Sequence, residues 1–362
     1  MTPLRAPFPW TGGKSRVGHV VWKALGNPPN YIEPFFGSGA VMLGRPGGAG
    51  KIETINDIDG GLVNFWRAMK WAPRTTAKWC DWPVSELDLH ARHSWLIEKI
   101  AGMREELRAD PYYYDAQVAG WWVWGICQWI GTGWCDPSLL ERNKGARPHI
   151  SANHTGMGVH STRKRPELRN KGGGVHRKLP KITVSHASSG IGGVHSHLPA
   201  IGNDRGLNGV SAPPCLDWFL SLQERFRNTR IICGDWRRVL GPSVLGKGKN
   251  VGGRTPTGIF FDPPYDPELR QKKLYAEDDP EISRLVREFC LANGDDPDLR
   301  IALCGYEGEH DMPSSWECHA WKGARGYASA DNENRSLERI WFSPHCLPLT
   351  EVQRSLFGEA SA

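Results

Sequence analysis

Several features are scarce in this chain, and each scarcity removes a class of protein. Nine cysteines, an odd number, are scattered without a single Cys-x-x-Cys pair. That argues for reduced thiols and against a disulfide framework. Zinc ligation lacks support as well, because the histidines show no regular His-x-x-x-His spacing, and no metal is expected. The most apolar helical stretch, Val118 to Ile130, falls short of the roughly 20 residues needed to span a bilayer. The N-terminus, Met1-Thr2-Pro3-Leu4-Arg5-Ala6-Pro7, has no apolar run of the secretory kind. A soluble, cytoplasmic protein is the expectation. Gly13-Lys14-Ser15 is not a phosphate loop, which needs Gly five residues before the Gly-Lys pair, where this chain has Phe8. A kinase or ATPase is thereby set aside. Finally, no Phe, Trp or Tyr occurs from Cys135 to Asp217, in a chain that is 10% aromatic.

That aromatic gap marks an interruption in an otherwise α/β pattern. Ser15 to Leu25 reads as a helix and Tyr31 to Phe36 as a buried strand, followed by the tight turn Gly37-Ser38-Gly39 and a helix beginning at Ala40. Lys51 to Asn56 is a second strand ending in acidic Asp57 and Asp59, and Leu62 to Met69 is helical. The pattern then turns wholly helical, with a long amphipathic helix over Glu86–Ala109 and an aromatic one over Tyr112–Trp129. The run Trp121-Trp122-Val123-Trp124, with Trp129 and Trp134, could stack on bases, but helical aromatics more often pack a core. From Pro213 the α/β pattern resumes. It predicts helices at Leu216–Phe226 and Glu281–Ala292, and strands at Arg230–Cys233, Gly258–Phe261, Arg300–Cys304 and Glu338–Phe342. The division that follows is a catalytic unit of residues 1–70 and 215–346, an insertion of 71–214 (helical over 71–134, a Gly/His-rich basic loop over 135–214), and a tail of 347–362.

Charge is concentrated in that loop. Nine Lys/Arg between Ser151 and Val210 face only Glu167 and Asp204, leaving +7 there against +6 for the whole chain. Gly-Val-His recurs at Gly158-Val159-His160, Gly174-Val175-His176 and Gly193-Val194-His195. These repeats are too short for a solenoid and too poor in large apolar groups to bury a core. A localised basic segment of this kind suits a polyanion, with Arg163, Lys164, Arg165, Lys171, Arg177, Lys178 and Lys181 as candidate nucleic-acid contacts.

Four short segments carry the chemistry: Pro9-Trp10-Thr11-Gly12-Gly13-Lys14, Glu33-Pro34-Phe35-Phe36-Gly37-Ser38-Gly39, Asn56-Asp57-Ile58-Asp59 and Asp262-Pro263-Pro264-Tyr265. In the last, two prolines stiffen the turn after the apolar run Gly258–Phe261 and so aim the Asp262 carboxylate, while Tyr265 offers a ring for stacking. The glycine turn lets backbone approach a bulky ligand, and an acid at the end of the second strand can accept from ribose hydroxyls. Asp57 is best placed for this by position, with Asp59 its close competitor.

In this order the four segments resemble the Dam-type DNA adenine methyltransferases, over roughly residues 5–70 and 215–345. The resemblance implies a Rossmann-like S-adenosylmethionine-dependent methyltransferase sheet interrupted by a target-recognition insertion. It implies that Trp10, Lys14, Glu33, Pro34, Phe35, Gly37, Ser38, Gly39, Asp57, Asp235, Trp236 and Asp262 line the S-adenosylmethionine pocket. Asp235 has a second reading, as a helix N-cap. Asp262, Pro263, Pro264 and Tyr265 are the implied catalytic set, acting on the 6-amino group of an adenine flipped out of double-stranded DNA. A monomer in a bacterial cell or phage-infected host is expected; a partner restriction nuclease is not determined by the sequence.

Three other readings compete. The same chemistry on cytosine's amino group or on RNA is disfavoured by the Trp-x-Gly-Gly-Lys segment and the motif order. A catalytically silent DNA-binding module would not need Asp262 and Tyr265. Protein glutamine methyltransferases use a related turn that usually begins with Asn, where this chain has Asp262, and the +7 insertion favours nucleic acid.

Overall fold

The computed structural model describes residues 4–10, 12–83, 85–129, 134–136, 215–246, 256–265, 281–321 and 338–349. Seven strands form one sheet: β1 (Asn30–Glu33), β2 (Ile52–Asp57), β3 (Thr229–Cys233), β4 (Thr257–Phe261), β5 (Leu299–Tyr306), β6 (Glu317–Ala320) and β7 (Glu338–Phe342). Their spatial order is β3-β2-β1-β4-β5-β7-β6. The first five run parallel, and β7 is inserted antiparallel between β5 and β6. Chain order reverses between β1 and β4. In an open sheet of this type, ligands bind in the crevice at the carboxyl ends of the strands flanking such a switch.

The sheet is covered on both faces, so its central strands read as continuous apolar runs rather than alternating ones. Side chains still alternate between faces with a period of two. Tyr31, Phe260, Ala302, Cys304, Ile340 and Phe342 join one core, and Ile32, Ile259, Phe261, Ile301, Leu303 and Trp341 join the other. The first core is closed by helices α1 (Gly18–Leu25), α2 (Ala40–Leu43), α3 (Gly60–Trp71), α7 (Ala116–Ile126) and α8 (Cys215–Phe226). The second is closed by α9 (Glu281–Asn293) and a 3-10 turn at Trp236–Val239.

Between α3 and α7 lie α4 (Pro73–Cys80), α5 (Glu86–Ala101) and α6 (Met103–Ala109). The single long helix expected over Glu86–Ala109 is therefore two, separated at Gly102. Glycine lowers helix propensity by about 1 kcal/mol relative to Ala, which suffices to break the helix where packing asks for a change of direction. Asp115 caps α7 by accepting from Gln117 N and Val118 N, so that helix starts four residues later than its aromatic pattern suggested. The α7 tryptophans are core: Trp122 and Trp124 are 2% exposed, and Trp122 meets Phe8 and Phe65 in edge or tilted contacts.

Two buried arginine systems bind these pieces together. Glu53 of β2 accepts from Arg45 at 2.9 Å and from Arg225 of α8 at 2.6 and 2.9 Å, with further bonds from Thr229 Oγ1 and Gly50 N. Arg67 of α3 donates to four backbone carbonyls, those of Leu107, Asp110, Tyr113 and Ile231, and so ties the helical layer to β3.

Candidate active site

The carboxyl ends of β1, β2 and β4 bring the second, third and fourth motif segments to one edge, and the first reaches them through Trp10 and Lys14. Gly37 and Gly39 hold positive φ of 49° and 63°. A Cβ on Gly39 would sit 2.2 Å from the Phe36 ring, and one on Gly37 would sit 2.7 Å from Trp10 Nε1. Only glycine permits this turn beneath the Trp10 indole. Trp66 Nε1 donates to the Gly37 carbonyl at 3.1 Å, holding the turn from the opposite side.

Asp57, the last residue of β2, grips the same turn. Its Oδ2 accepts from Gly37 N at 2.9 Å and its Oδ1 from Asp59 N at 3.0 Å. Burial pushes its carboxyl up to about 6, against the lowering effect of these two N–H groups. Asp59 serves elsewhere, as the N-cap of α3, and accepts from Leu62 N at 3.0 Å. Neighbouring Asn56 donates to the carbonyls of Pro34 and Gly234, fixing the ends of β1 and β3 relative to β2.

Asp235 follows β3 and behaves as a cap, the second of its two expected roles. It accepts from Arg237 N at 2.9 Å, initiating the 3-10 turn, and pairs with the Arg237 guanidinium at 2.8 Å. Those hydrogen bonds hold its carboxyl below the usual range. Trp236 is buried, 6.1 Å from Phe35 between ring centroids and close to Phe261 and Phe289. Phe35 remains partly exposed at the edge.

The turn after β4 is the centre of the arrangement. Lys14 Nζ lies 2.8 Å from Asp262 Oδ1, and the Lys14 side chain is 4% exposed against 22% for Asp262. The ammonium also donates to Gly12 O at 2.9 Å and stands 5.1 Å from the Tyr265 ring and 5.8 Å from the Trp321 ring. Lys14, expected at the cofactor pocket, is thus brought to the acid of the fourth motif. Tyr265 is 5% exposed; its hydroxyl stands 3.2 Å from Asp262 Oδ1 and 2.9 Å from Glu338 Oε2. Its ring meets Tyr306 edge-on at 4.6 Å. Glu33, at the end of β1, is buried and accepts from Tyr31 OH at 2.9 Å. Burial holds its carboxyl well above the ordinary range, reinforced by the charge of Asp262.

Sequence reasoning missed Glu338, Tyr306 and Trp66. Glu338 sits directly opposite Tyr306 in the β5–β7 register. A signal for it existed, because a carboxylate opening the apolar strand Glu338-Arg339-Ile340-Trp341-Phe342 demands a buried partner. The basic residues Arg163, Lys164, Arg165, Lys171, Arg177, Lys178 and Lys181 lie outside the described residues, as does Thr11.

The comparison with known families bears on this geometry. Residues 10–117 match the sequence model of the D12 class N6 adenine-specific DNA methyltransferases. No curated protein matched the chain. The matched region runs from Trp10 through the glycine turn and Asp57 to the start of α7. Asp262-Pro263-Pro264-Tyr265 lies beyond it. No helix among the described residues is long and apolar enough to cross a membrane.

Proposed function

We propose that the protein transfers a methyl group from S-adenosylmethionine to the 6-amino group of adenine in double-stranded DNA. The observation that carries this reading is the acid-and-aromatic corner at the switch point, where Lys14 and Tyr265 converge on Asp262 Oδ1. Among the described residues, both contacts fall on the same oxygen, so Asp262 can offer Oδ2 to a substrate hydrogen.

The residues at the strand ends fit an S-adenosylmethionine donor. The glycine turn packs tightly beneath the Trp10 indole at the strand ends, and Asp57 retains acceptor capacity beyond its N–H partners for ribose hydroxyls. Asp57 is favoured over Asp59, whose carboxylate is taken up in capping α3. Phe35 and Trp236 supply apolar walls, Asp235 a partly exposed carboxylate, and Glu33, Pro34, Trp10, Ser38 and Gly39 the remainder of the lining. When bound, this group supplies an electrophilic methyl on a sulfonium.

The protein's own contribution is electrostatic and positional. An adenine amino group is a poor nucleophile because its lone pair is delocalised into the ring. Asp262 and the Pro263 carbonyl accept the two amino hydrogens and concentrate electron density on nitrogen. Lys14 compensates the charge of Asp262 and holds it in place. The base must leave the helix stack to reach this corner, at a cost of a few kcal/mol. Tyr265, with its ring packed edge-on against Tyr306 and its hydroxyl within reach of Asp262 and Glu338, stiffens the corner that receives that base.

The test is direct. Purified protein is incubated with S-adenosylmethionine carrying a labelled methyl and with double-stranded DNA of mixed sequence, and the product nucleosides are separated. Label on N6-methyladenine is the expected result. Label on the amino group of cytosine, or none in any duplex or RNA offered, overturns the assignment.

A further inference from the structure

We infer that Glu338 is a positioning residue: it determines whether the Tyr265 hydroxyl donates to Asp262 or turns away from it. This rests on the reading of Asp262 as the acceptor of the amino hydrogen. A tyrosine hydroxyl has one hydrogen to give, yet two carboxylates stand within reach of it, Glu338 Oε2 at 2.9 Å and Asp262 Oδ1 at 3.2 Å. Both cannot accept at once. If Glu338 is ionised, it takes the hydroxyl hydrogen across the shorter distance, and Asp262 Oδ1 is left with Lys14 alone of its two partners. If Glu338 is protonated, it donates to the Tyr265 oxygen, and Tyr265 in turn donates to Asp262.

The surroundings keep both states accessible. Glu338 is 8% exposed, and burial raises its carboxyl, as do the charges of Asp262 and Glu309; Lys14 and the Tyr265 hydrogen bond pull it down. Cys304 of β5 lies in the same electrostatic neighbourhood, and Glu33 and Asp262 bear on that thiol too. Arg339, next to Glu338, is committed elsewhere, pairing with Glu307 at 2.7 Å. The proximity of Tyr306, across the strand pair from Glu338 and edge-on to Tyr265, fixes the ring so that the hydroxyl can change acceptor by rotation of its hydrogen alone.

The experiment uses the full chain in two measurements. In an infrared difference titration run from acid to alkaline pH, the wild type should show a protonated-carboxyl band that disappears as pH rises. The band should be absent in Glu338→Gln and should move its midpoint in Tyr265→Phe. In methyl-transfer kinetics, kcat of the wild type should show a step over the range in which that band disappears. Glu338→Gln and Tyr265→Phe should each abolish the step, and Glu338→Gln should lower kcat by about three- to tenfold, the scale of one net hydrogen bond. KM for donor and DNA should change by less than about twofold. Should Glu338→Gln prove insoluble, Glu338→Asp is read instead, with a displaced midpoint expected. A variant that loses thermal stability while keeping the band and the step would make Glu338 merely structural and overturn the inference. If the wild type methylates no adenine, the proposed function fails, while the infrared titration still decides whether Glu338 and Tyr265 share a proton.

Discussion

At the scale of single residues, Asp262 and Asp57 are acids in contrasting settings. Asp262 meets a buried ammonium at 2.8 Å. Replacing it with Asn keeps the shape but removes the charge that draws on the amino hydrogen. Asp262→Asn should cost about a hundredfold or more in single-turnover rate, as loss of one preorganised transition-state partner does. Donor affinity, measured by calorimetry, should stay within a few-fold of wild type; near-normal turnover would remove Asp262 from the chemistry. Asp57 is an acid made reluctant to ionise. Its folded value of about 6 exceeds the roughly 3.9 of an unfolded chain, so the native state holds this proton longer. Stability should therefore fall as pH rises between those two values, by on the order of 3 kcal/mol, and level off above the higher one. Denaturant unfolding at a series of pH values measures the slope, which should vanish in Asp57→Asn. Donor affinity should run the opposite way, improving as Asp57 ionises and becomes a stronger acceptor; a flat profile in the wild type would place the ribose elsewhere.

Among elements, the critical joint is Glu53. It is 1% exposed, and though burial alone would raise its carboxyl, Arg225 and Arg45 hold it below the ordinary range. It couples β2 to α8, the first described helix after the basic segment. Glu53→Gln would strand two buried guanidinium groups and should cost about 3–5 kcal/mol, the scale of breaking a buried pair from one side. A lowered denaturant midpoint with an unchanged slope would show it. This joint also shows where sequence reading reaches its limit. Strands β1 and β4 were legible because both faces are buried and their apolar runs are bounded by Pro, Gly and Asp. The glycine turn was legible because positive φ selects glycine at 37 and 39. By contrast, α4 carries few large apolar residues and β6 alternates with exposed polar ones, so neither announces itself. Pairings such as Arg225 with Glu53, Lys14 with Asp262 and Tyr265 with Glu338 join residues far apart in the chain. Composition signals that each buried charge needs a partner; only the fold says which.

For the molecule as a whole, the question is how a nearly neutral α/β domain and a strongly basic segment divide the work. The last described residues before that segment, 134–136, are held to the helical layer, where Trp134 Nε1 donates to Trp122 O at 3.1 Å. At its far end, Cys215 opens α8 with its sulfur 2.9 Å from Cys80 Sγ of α4. The α4 helix packs against both α7 and α8, so the described residues on either side of the segment are anchored to one layer. Removing residues 155–210 should consequently leave cooperative unfolding of the domain intact, while DNA affinity and sequence preference are lost. Unfolding on deletion would mean that the segment carries core. A finer version separates charge from chain length. Neutralising Arg177, Lys178 and Lys181 together should reduce the slope of log affinity against log salt by about 0.9 for each phosphate contact removed. If all three touch the backbone, the affinity loss should be similar for every duplex sequence, because phosphate contacts position a protein without reading bases. An unchanged salt slope would move the DNA interface off this segment and onto the sheet edge around Asp262.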